Sequence, residues 1–319
     1  MQIFGDDIRF GVHTGPENAE FGEYRDAWVR CEELGFDWVS DFDHFLPIMH
    51  DPAGRQFEGL TMLSAMAAHT ERVRCGMLVL GVTYRHPAVV ANMAATIDHV
   101  SGGRLELGMG AAWYEIEHQQ YGIPFPRIGV RMDMLDEACH ILRGLWTQDR
   151  FTFEGKHYQV RDALCEPKPV QEHLPLVIGG SGERRTLRIV AEHGDIWNTF
   201  YGDLEHYRHL VEVLGRHCGD VGRDPADVRK SLTFRAVLAD SEQEAQERLH
   251  EIWGGPPPER MAAMTIAGTV EQCVERLRPY AELGVGDFLL GSMPPHDWQT
   301  VELVANTVAP ALKSAVAGR

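Results

Sequence analysis

The chain has 319 residues, of which 44% are hydrophobic and 24% are charged, and this composition is typical of a globular protein with a sizeable core. A formal net charge of −17 at pH 7, without a basic stripe, argues against nucleic-acid binding and against an anionic membrane surface. The six cysteines form no C-x-x-C pair, no apolar run could span a bilayer, and no signal peptide is recognisable, so we expect a reduced, cytoplasmic protein.

Short apolar runs rich in β-branched residues alternate along the chain with longer segments of helical periodicity. In the first half, the predicted elements are strand 8–14, helix 22–34, strand 36–42, helix 60–70, strand 73–82, helix 87–101, strand 103–111, and helices near 113–120 and over 131–147. In the second half, a hairpin over 151–160 precedes four further strands, each followed by a helical stretch, over 176–180, 194–200, 228–239 and 286–292. The proline run Pro256–Pro258 marks an insertion before the last unit.

About eight βα units fill the chain, and the strict alternation implies a parallel sheet. Eight units in one domain are typical of a (β/α)8 TIM barrel, so we predict an α/β fold of this kind, with insertions, as a single domain over 1–319. The competing doubly wound sheet usually has a G-x-G-x-x-G loop after its first strand. Here that loop reads HTGPENAEFG and lacks the motif.

The densest polar cluster at a predicted strand end is SDFDHF, after the second strand. Asp41, Asp43 and His44 lie within four residues of one another. A carboxylate beside a histidine suits proton transfer or hydrogen bonding to a ring heteroatom. The alternative is a helix-capping loop with a surface histidine. Because active-site residues of barrels follow the carboxyl ends of strands, we favour the functional interpretation.

A glycine-rich turn, GGSG at 179–182, follows the fifth predicted strand and leads into a predicted helix carrying Arg184, Arg185 and Arg188. Backbone N–H groups in such a turn, together with a helix N-terminus, favour an anion. The alternative is a tight connection that merely needs glycine. The sequence GMGAAWYE after the fourth strand offers small residues that a flat ring could approach. Together these features predict a phosphorylated planar cofactor across the barrel mouth.

The sequence lacks the motifs of several other common catalytic chemistries. The first strand offers one histidine, His13, where amidohydrolase-type barrels have two, and no H-E-x-x-H sequence occurs, so we expect no metal site. The nucleophile elbow G-x-S-x-G is absent as well. Acidic residues are plentiful, but no spacing supports the two facing carboxylates of a glycosidase.

Three blocks of sequence carry a family resemblance. They read SDFDHF, TYRHPAVVANMAATIDHVSGGRLELGMGAAWYEIEHQQYGIPFP and PKPVQEHLPLVIGGSGERRTLRIVAEHGDIWN. With them the chain resembles the luciferase-like monooxygenase superfamily of flavin and deazaflavin oxidoreductases, in particular its actinobacterial deazaflavin-dependent branch. The resemblance implies a (β/α)8 barrel and the deazaflavin coenzyme F420, or FMN as in sister branches.

The resemblance also implies roles for particular residues. A non-proline cis peptide that supports the cofactor ring would lie at Leu78-Val79, or in an alternative register at Gly81-Val82. Asp43 and His44 match the Asp-His pair of the sugar-phosphate dehydrogenase branch. Trp113 stands where that branch carries a catalytic glutamate, and Glu115 lies nearby, so sugar-phosphate oxidation is not expected. Arg85, just before the helix starting at Pro87, is expected to be internally paired.

Three hypotheses follow. The first is hydride transfer between F420 and a small organic substrate, the second is an FMN-dependent monooxygenase, and the third is a cofactor-binding protein without turnover. The expected catalytic residues are His44, Asp43 and Trp113. The expected cofactor-binding residues are Asp41, His44, Leu78, Val79, Gly110, Ala111, Gly179, Gly180, Ser181, Gly182 and Trp197. A homodimer without nucleic-acid or membrane partners is expected.

Overall fold

The computed structural model describes residues 7–49, 51 and 53–317. Its centre is a closed barrel of eight parallel strands, in which the first and last strands pair with each other and the sixth pairs with the seventh. The barrel strands are β1 (Arg9–His13), β2 (Trp38–Asp41), β3 (Arg74–Met77), β5 (Leu105–Gly110), β8 (Leu176–Gly179), β9 (Ile196–Phe200), β10 (Arg229–Leu238) and β12 (Val285–Gly291). The predicted (β/α)8 barrel is therefore confirmed.

Helices connect these strands and cover the outside of the barrel. They are α1 (Phe21–Glu33), α2 (Gly59–His69), α3 (Pro87–Ser101), α4 (Glu115–Tyr121), α5 (Ile128–Thr147), α6 (Thr186–His193), α7 (Leu204–Asp220), α8 (Glu242–Trp253), α9 (Glu259–Ala263), α10 (Val270–Glu282), α11 (Trp298–Leu303) and α12 (Ala309–Ala317), with a 3-10 turn at Pro225–Asp227 and a π-helical turn at Val304–Val308. None of the helices among the described residues is long and apolar enough to cross a bilayer. The hairpin consists of β6 (Phe151–Glu154) and β7 (Gln159–Ala163).

Strand parity decides which side chains enter the barrel. Trp38 packs with Leu289 and Val177 in a cluster inside the barrel. Two residues later on β2, Ser40 contacts His13 of β1 through a 2.9 Å hydrogen bond between Oγ and Nδ1. Since successive strand residues point to opposite faces, Trp38 and Ser40 face inward, whereas Val39 and Asp41 face the helical layer. The strands are buried on both faces, as expected of a parallel barrel.

Ion pairs close the amino-terminal end of the barrel. Arg9 donates to Asp287, with Nε–Oδ1 and Nη2–Oδ2 distances of 2.7 Å, and to Glu106, with an Nη1–Oε1 distance of 2.8 Å. Arg229 also donates to Asp287, and Arg74 to Glu106. Burial by itself would raise the pKa of Asp287, but Arg9 and Arg229 hold it below its ordinary value. Because this network fills the amino-terminal end, we expect a functional site at the opposite, carboxyl-terminal end of the barrel.

The structure corrects three local predictions. The strand predicted over 73–82 is divided into β3 and the short β4 (Leu80–Gly81). Helix α6 begins at Thr186, so Arg184 and Arg185 precede it. The region after the prolines contains an additional strand, β11 (Thr265–Gly268), which pairs with Arg235–Leu238 of β10. This strand was missed because four residues give too short a pattern, and β10 is long enough to pair beyond the barrel.

Candidate active site at the carboxyl ends of the strands

A histidine–glutamate pair lies at the mouth of the barrel. His44 follows β2, and its Nδ1 lies 2.8 Å from Oε1 of Glu117 on α4. Glu117 is completely buried and also accepts hydrogen bonds from the Phe45 amide, with an N–Oε2 distance of 2.7 Å, and from the Tyr84 hydroxyl. Burial alone would raise the pKa of Glu117, but these hydrogen bonds, led by that of His44, lower it.

The pair fixes the chemistry of His44. An ionised carboxylate can only accept hydrogen bonds, so Nδ1 of His44 carries the proton. The other ring nitrogen, Nε2, has no hydrogen-bond partner among the described residues. It is therefore available to accept a proton from a bound molecule, while Glu117 stabilises the resulting imidazolium.

Both carboxylate oxygens of Asp43 accept hydrogen bonds from neighbouring residues. Its carboxylate binds the Arg85 guanidinium through two hydrogen bonds of 2.8 and 2.9 Å and accepts a third, of 3.2 Å, from the Gly81 amide. Arg85 also pairs with Glu58, the N-cap of α2. Burial raises the pKa of Asp43 and the Arg85 charge opposes that rise. The predicted internal pairing of Arg85 is confirmed, and Asp43 holds the loop that carries His44.

Asp41 lies on the other side of β2. It is buried and faces the helical layer, where Oδ1 accepts a 2.8 Å hydrogen bond from the Phe42 amide. Its Oδ2 has no partner among the described residues. Burial raises the pKa of Asp41 well above its ordinary value. Its side chain does not reach the barrel interior, so any effect on a bound cofactor would be transmitted through Phe42 and Asp43.

At the break between β3 and β4, the side chain of Val79 packs against glycines of two neighbouring strands. The Leu78-Val79 peptide is cis, which confirms the prediction for this stretch. A Cβ atom added at Gly108, Gly110 or Gly179 would lie 2.8, 2.6 or 3.0 Å from a Val79 methyl carbon. The side chain of Val79 therefore packs against glycine backbone on β5 and β8. Leu78 is buried, and Ala111, directly after Gly110, is partly exposed beside this surface.

Aromatic side chains border the mouth next to His44. The indole ring of Trp113 lies 5.5 Å from the His44 ring, edge to face, and stacks on Tyr114 at 5.1 Å. Trp113 is 61% exposed, which is unusual for so large an apolar side chain. Glu115 begins α4 on the outer surface, where Gln119 donates to it. The carboxylate that reaches His44 is therefore Glu117, which the sequence reasoning missed.

The glycine turn is open to solvent. Gly180, Ser181 and Gly182 are exposed, and Gly180 has a φ of +124° that favours glycine. Its amide donates to the Asn198 carbonyl at 3.0 Å, whereas no described residue accepts from the Ser181 or Gly182 amide. These two N–H groups lie in the turn that leads to α6 and are free donors of the kind that a phosphate requires. Gly179 ends β8 beside them.

Trp197 supports this turn from behind. Its side chain is completely buried in the helical layer, stacked on Tyr207 at 5.6 Å, and its Nε1 donates to the Gly180 carbonyl at 2.8 Å. Arg185 is held by Asp133 and by the Gly129 carbonyl on α5. Trp197 and Arg185 therefore hold the turn and its surroundings, and neither side chain is directed at the mouth.

The described residues contain one group with metal-ligating chemistry, and it lies apart from the mouth. Asp136 and His140 of α5 meet His193 at the end of α6, with ligand atoms within 4.8 Å of one another. His193 Nε2 is 2.9 Å from Asp136 Oδ1, so a hydrogen bond already joins the two helices. This group could not be recognised from sequence spacing, because His193 is 53 positions from His140 along the chain.

The residues at the mouth fit a phosphorylated planar cofactor. The side chain of Val79 packs directly on the backbone of Gly108, Gly110 and Gly179 (the glycine cradle), where an added Cβ atom would clash with its methyl groups. The turn after β8 supplies two unengaged amides, and no described carboxylate hydrogen-bonds to them. A ring could lie against the backbone of Gly110 at the end of β5 and of Ala111 directly after it, and a phosphate could bind the turn.

Comparisons with known proteins identify the family of the chain. A model of the luciferase-like monooxygenase family matches residues 6–259. F420-dependent glucose-6-phosphate dehydrogenases of Microbacterium testaceum and Nakamurella multipartita are 31% and 29% identical to the chain, covering 96% and 97% of it and 98% of each relative. A solved F420-dependent secondary alcohol dehydrogenase, in complex with an F420-acetone adduct, is 20% identical with a TM-score of 0.83, covering 96% of this chain and 99% of that one, and it shows the shared fold.

Proposed function

Because the chain belongs to the luciferase-like monooxygenase family, we propose that it is an oxidoreductase that transfers a hydride between coenzyme F420 and a small organic substrate. The observation that carries the proposal is the His44–Glu117 pair, which presents a free Nε2 at the same mouth as the glycine cradle. The full-length relatives named F420-dependent dehydrogenases support the choice of cofactor.

Residues of several strand ends would hold the cofactor. The Ser181 and Gly182 amides would bind its phosphate, with Gly179 and Gly180 letting the backbone approach closely. Leu78 and Val79 would support the ring from the β3–β4 break, and Gly110 and Ala111 would border it at the carboxyl end of β5. When bound, a deazaflavin supplies a carbon that accepts or donates hydride. Asp41 and Trp197 would act indirectly, through Phe42 and the Gly180 carbonyl.

Residues of the chain itself would transfer the proton. In the direction of alcohol oxidation, Nε2 of His44 accepts the proton of the substrate hydroxyl, and Glu117 stabilises the imidazolium through Nδ1–H. In the reverse direction His44 returns the proton to the carbonyl oxygen. Asp43 and Arg85 are positioning residues, since they hold the loop on which His44 stands. Trp113 would cover the substrate side of His44 and restrict water.

Turnover without oxygen tests the proposal. We would incubate the protein with oxidised F420 and a panel of primary and secondary alcohols under anaerobic conditions and follow loss of the cofactor's visible absorbance. Substrate-dependent bleaching that disappears in His44→Ala is expected. Turnover that instead requires reduced FMN and oxygen would show a monooxygenase, and F420 binding without turnover of any alcohol or of the reverse-direction carbonyls would indicate a binding protein.

We also propose that the enzyme is a cytoplasmic homodimer. Closed two-fold dimers are the commonest assembly of such proteins. Light scattering on the purified protein should give twice the mass of the chain, and a monomer mass at micromolar concentration would contradict this.

A further inference from the structure

A cavity of about 350 Å³ lies beside α8, at the carboxyl end of β12 and along β10. One wall is apolar and includes Leu249, Ile252 and Trp253. The other wall carries polar groups, among them Arg235, Ser292 and His296. A cavity with an apolar body and a few convergent polar groups is the usual form of a small-molecule site.

Arg235 points from β10 into the mouth. Nδ2 of Asn198 donates to Ser231 Oγ at 3.0 Å and to Thr233 Oγ1 at 3.1 Å, so these alternate residues of β10 face inward, and Arg235 is the next in that row. Its side chain lies over Gly291 at the end of β12, where a Cβ atom would be 3.5 Å from Arg235 Cγ. The guanidinium is therefore at the carboxyl end of the barrel interior.

This guanidinium lacks a strong partner. Among the described residues it forms no ion pair, and its one hydrogen bond runs to the thioether sulfur of Met49 at 3.5 Å. Arg248 lines the same cavity but donates to Asp297 at 2.6 Å and to the Leu238 carbonyl. Burial lowers the pKa of Arg235, although a guanidinium remains charged. The buried Glu17 carboxylate interacts with this charge electrostatically but is not hydrogen-bonded to the guanidinium, so a ligand carboxylate in direct contact would stabilise the partly buried cation further.

The imidazoles near Arg235 add no positive charge. Burial, with a contribution from Arg235, lowers the pKa of His13 to about 3. Burial also lowers the pKa of His296 to about 4. Nδ1 of His296 is 3.0 Å from Ser292 Oγ, while its buried Nε2 has no partner among the described residues. Among the described residues of this wall, Arg235 is therefore the positively charged group that is not held in an ion pair, and a carboxylate is a ligand group that a single guanidinium binds well.

We propose that Arg235 binds a carboxylate of the substrate and that the substrate is a small monocarboxylic acid with an apolar body seated on α8. The proposal deepens the proposed function and rests on it, because it assigns the substrate class of the same mouth. A single guanidinium matches a carboxylate through two parallel hydrogen bonds. A dianionic phosphate would leave one charge uncompensated, close to Asp297 and Glu251 of the same cavity.

Calorimetric titration with three matched probes tests this. Hexanoate, hexan-1-ol and hexyl phosphate share one apolar body and differ in charge. We expect wild-type protein with bound F420 to bind hexanoate at least about tenfold more tightly than hexan-1-ol, as for a charge-assisted hydrogen-bonded pair. Arg235→Met should remove this preference and Arg235→Lys should keep part of it, whereas Arg161→Met on the exposed hairpin should leave it unchanged. Thermal unfolding of each variant checks folding.

The outcomes separate the two proposals. Equal affinity for hexanoate and hexan-1-ol in the wild type, or an unchanged preference in Arg235→Met, would overturn the carboxylate site. Tighter binding of hexyl phosphate than of hexanoate would overturn the monoanion assignment. If the protein binds no F420 but still prefers hexanoate, the cofactor assignment fails and the carboxylate site stands. If Arg235→Met loses F420 affinity instead, Arg235 serves the cofactor and the substrate assignment is wrong.

Discussion

Nδ1 of His44 lies 2.8 Å from Oε1 of Glu117, although the two residues are 73 positions apart in the sequence. The carboxylate is fully buried and also holds the Phe45 amide and the Tyr84 hydroxyl. This arrangement fixes both the orientation and the tautomer of the imidazole. It leaves Nε2 for a bound molecule, which is the geometry of an oriented base.

The first prediction concerns this carboxylate. Glu117→Gln keeps the side-chain shape but removes the charge that stabilises the imidazolium. We expect kcat for an alcohol substrate to fall by about 100-fold or more, with F420 affinity nearly unchanged. Glu115→Gln, two residues away on the exposed start of α4, is the matched control. Equal effects of the two substitutions on kcat would contradict the role of Glu117.

The second prediction concerns the ion pair behind His44. Arg85→Met leaves the buried Asp43 carboxylate without its bidentate partner. We expect a loss of about 3–5 kcal/mol in the free energy of unfolding, which is usual when one partner of a buried pair is removed. Urea denaturation measures this loss. Arg25→Met removes an exposed pair with Asp26 and should cost less than about 1 kcal/mol, so similar losses for both would argue against the assigned burial.

The third prediction concerns the glycine cradle. Alanine at Gly110 would place a Cβ 2.6 Å from Val79 Cγ2, and alanine at Gly180 would have to adopt a φ of +124°. We expect each variant to bind F420 at least about tenfold more weakly, since the ring and phosphate positions shift. Gly202→Ala, which meets no neighbour within 4 Å, is the control. Fluorescence titration gives the affinities, and unchanged values in both variants would remove the cradle from the site.

The fourth prediction concerns acid stability. Burial would raise the pKa of Asp195, but the hydrogen bond from His173 and the charge of Arg143 hold it below its ordinary value. Such a carboxylate stabilises the fold above its unfolded pKa of about 3.9, and the stabilisation is lost as the pH falls through the lower folded value. Asp195→Asn should therefore be less stable at pH 7 and should lose less stability between about pH 5 and pH 2. Urea denaturation across this range tests the slope, with the exposed Asp26→Asn as reference.

Much of the fold followed from the sequence because its signals are local. The alternation of buried strands and amphipathic helices predicts the barrel, and the carboxyl ends of the strands identify the end of the barrel at which His44, Val79 and the glycine turn lie. The pairing of Arg85 and the cis peptide at Leu78-Val79 were also anticipated. These features depend on short motifs or on a family resemblance that covers most of the chain.

Other features depend on which face of a strand a side chain occupies and on how neighbouring elements pack, and the sequence specifies neither. Asp41 and Trp197 were expected at the cofactor, but strand parity turns both side chains toward the helical layer. A shift of one position reverses the face of a strand residue. Likewise, the contact between Glu117 and His44 depends on how the short α4 packs on the mouth, and Glu115 could not be distinguished from Glu117 beforehand.

The central claim is that the mouth binds a deazaflavin for hydride transfer. The most direct test is a titration of the purified protein with oxidised F420 and, separately, with FMN, followed by absorbance and fluorescence. We predict saturable F420 binding at micromolar concentration or below, much weaker FMN binding, and a loss of F420 affinity in Gly180→Ala. Tight FMN binding without F420 binding would contradict the account.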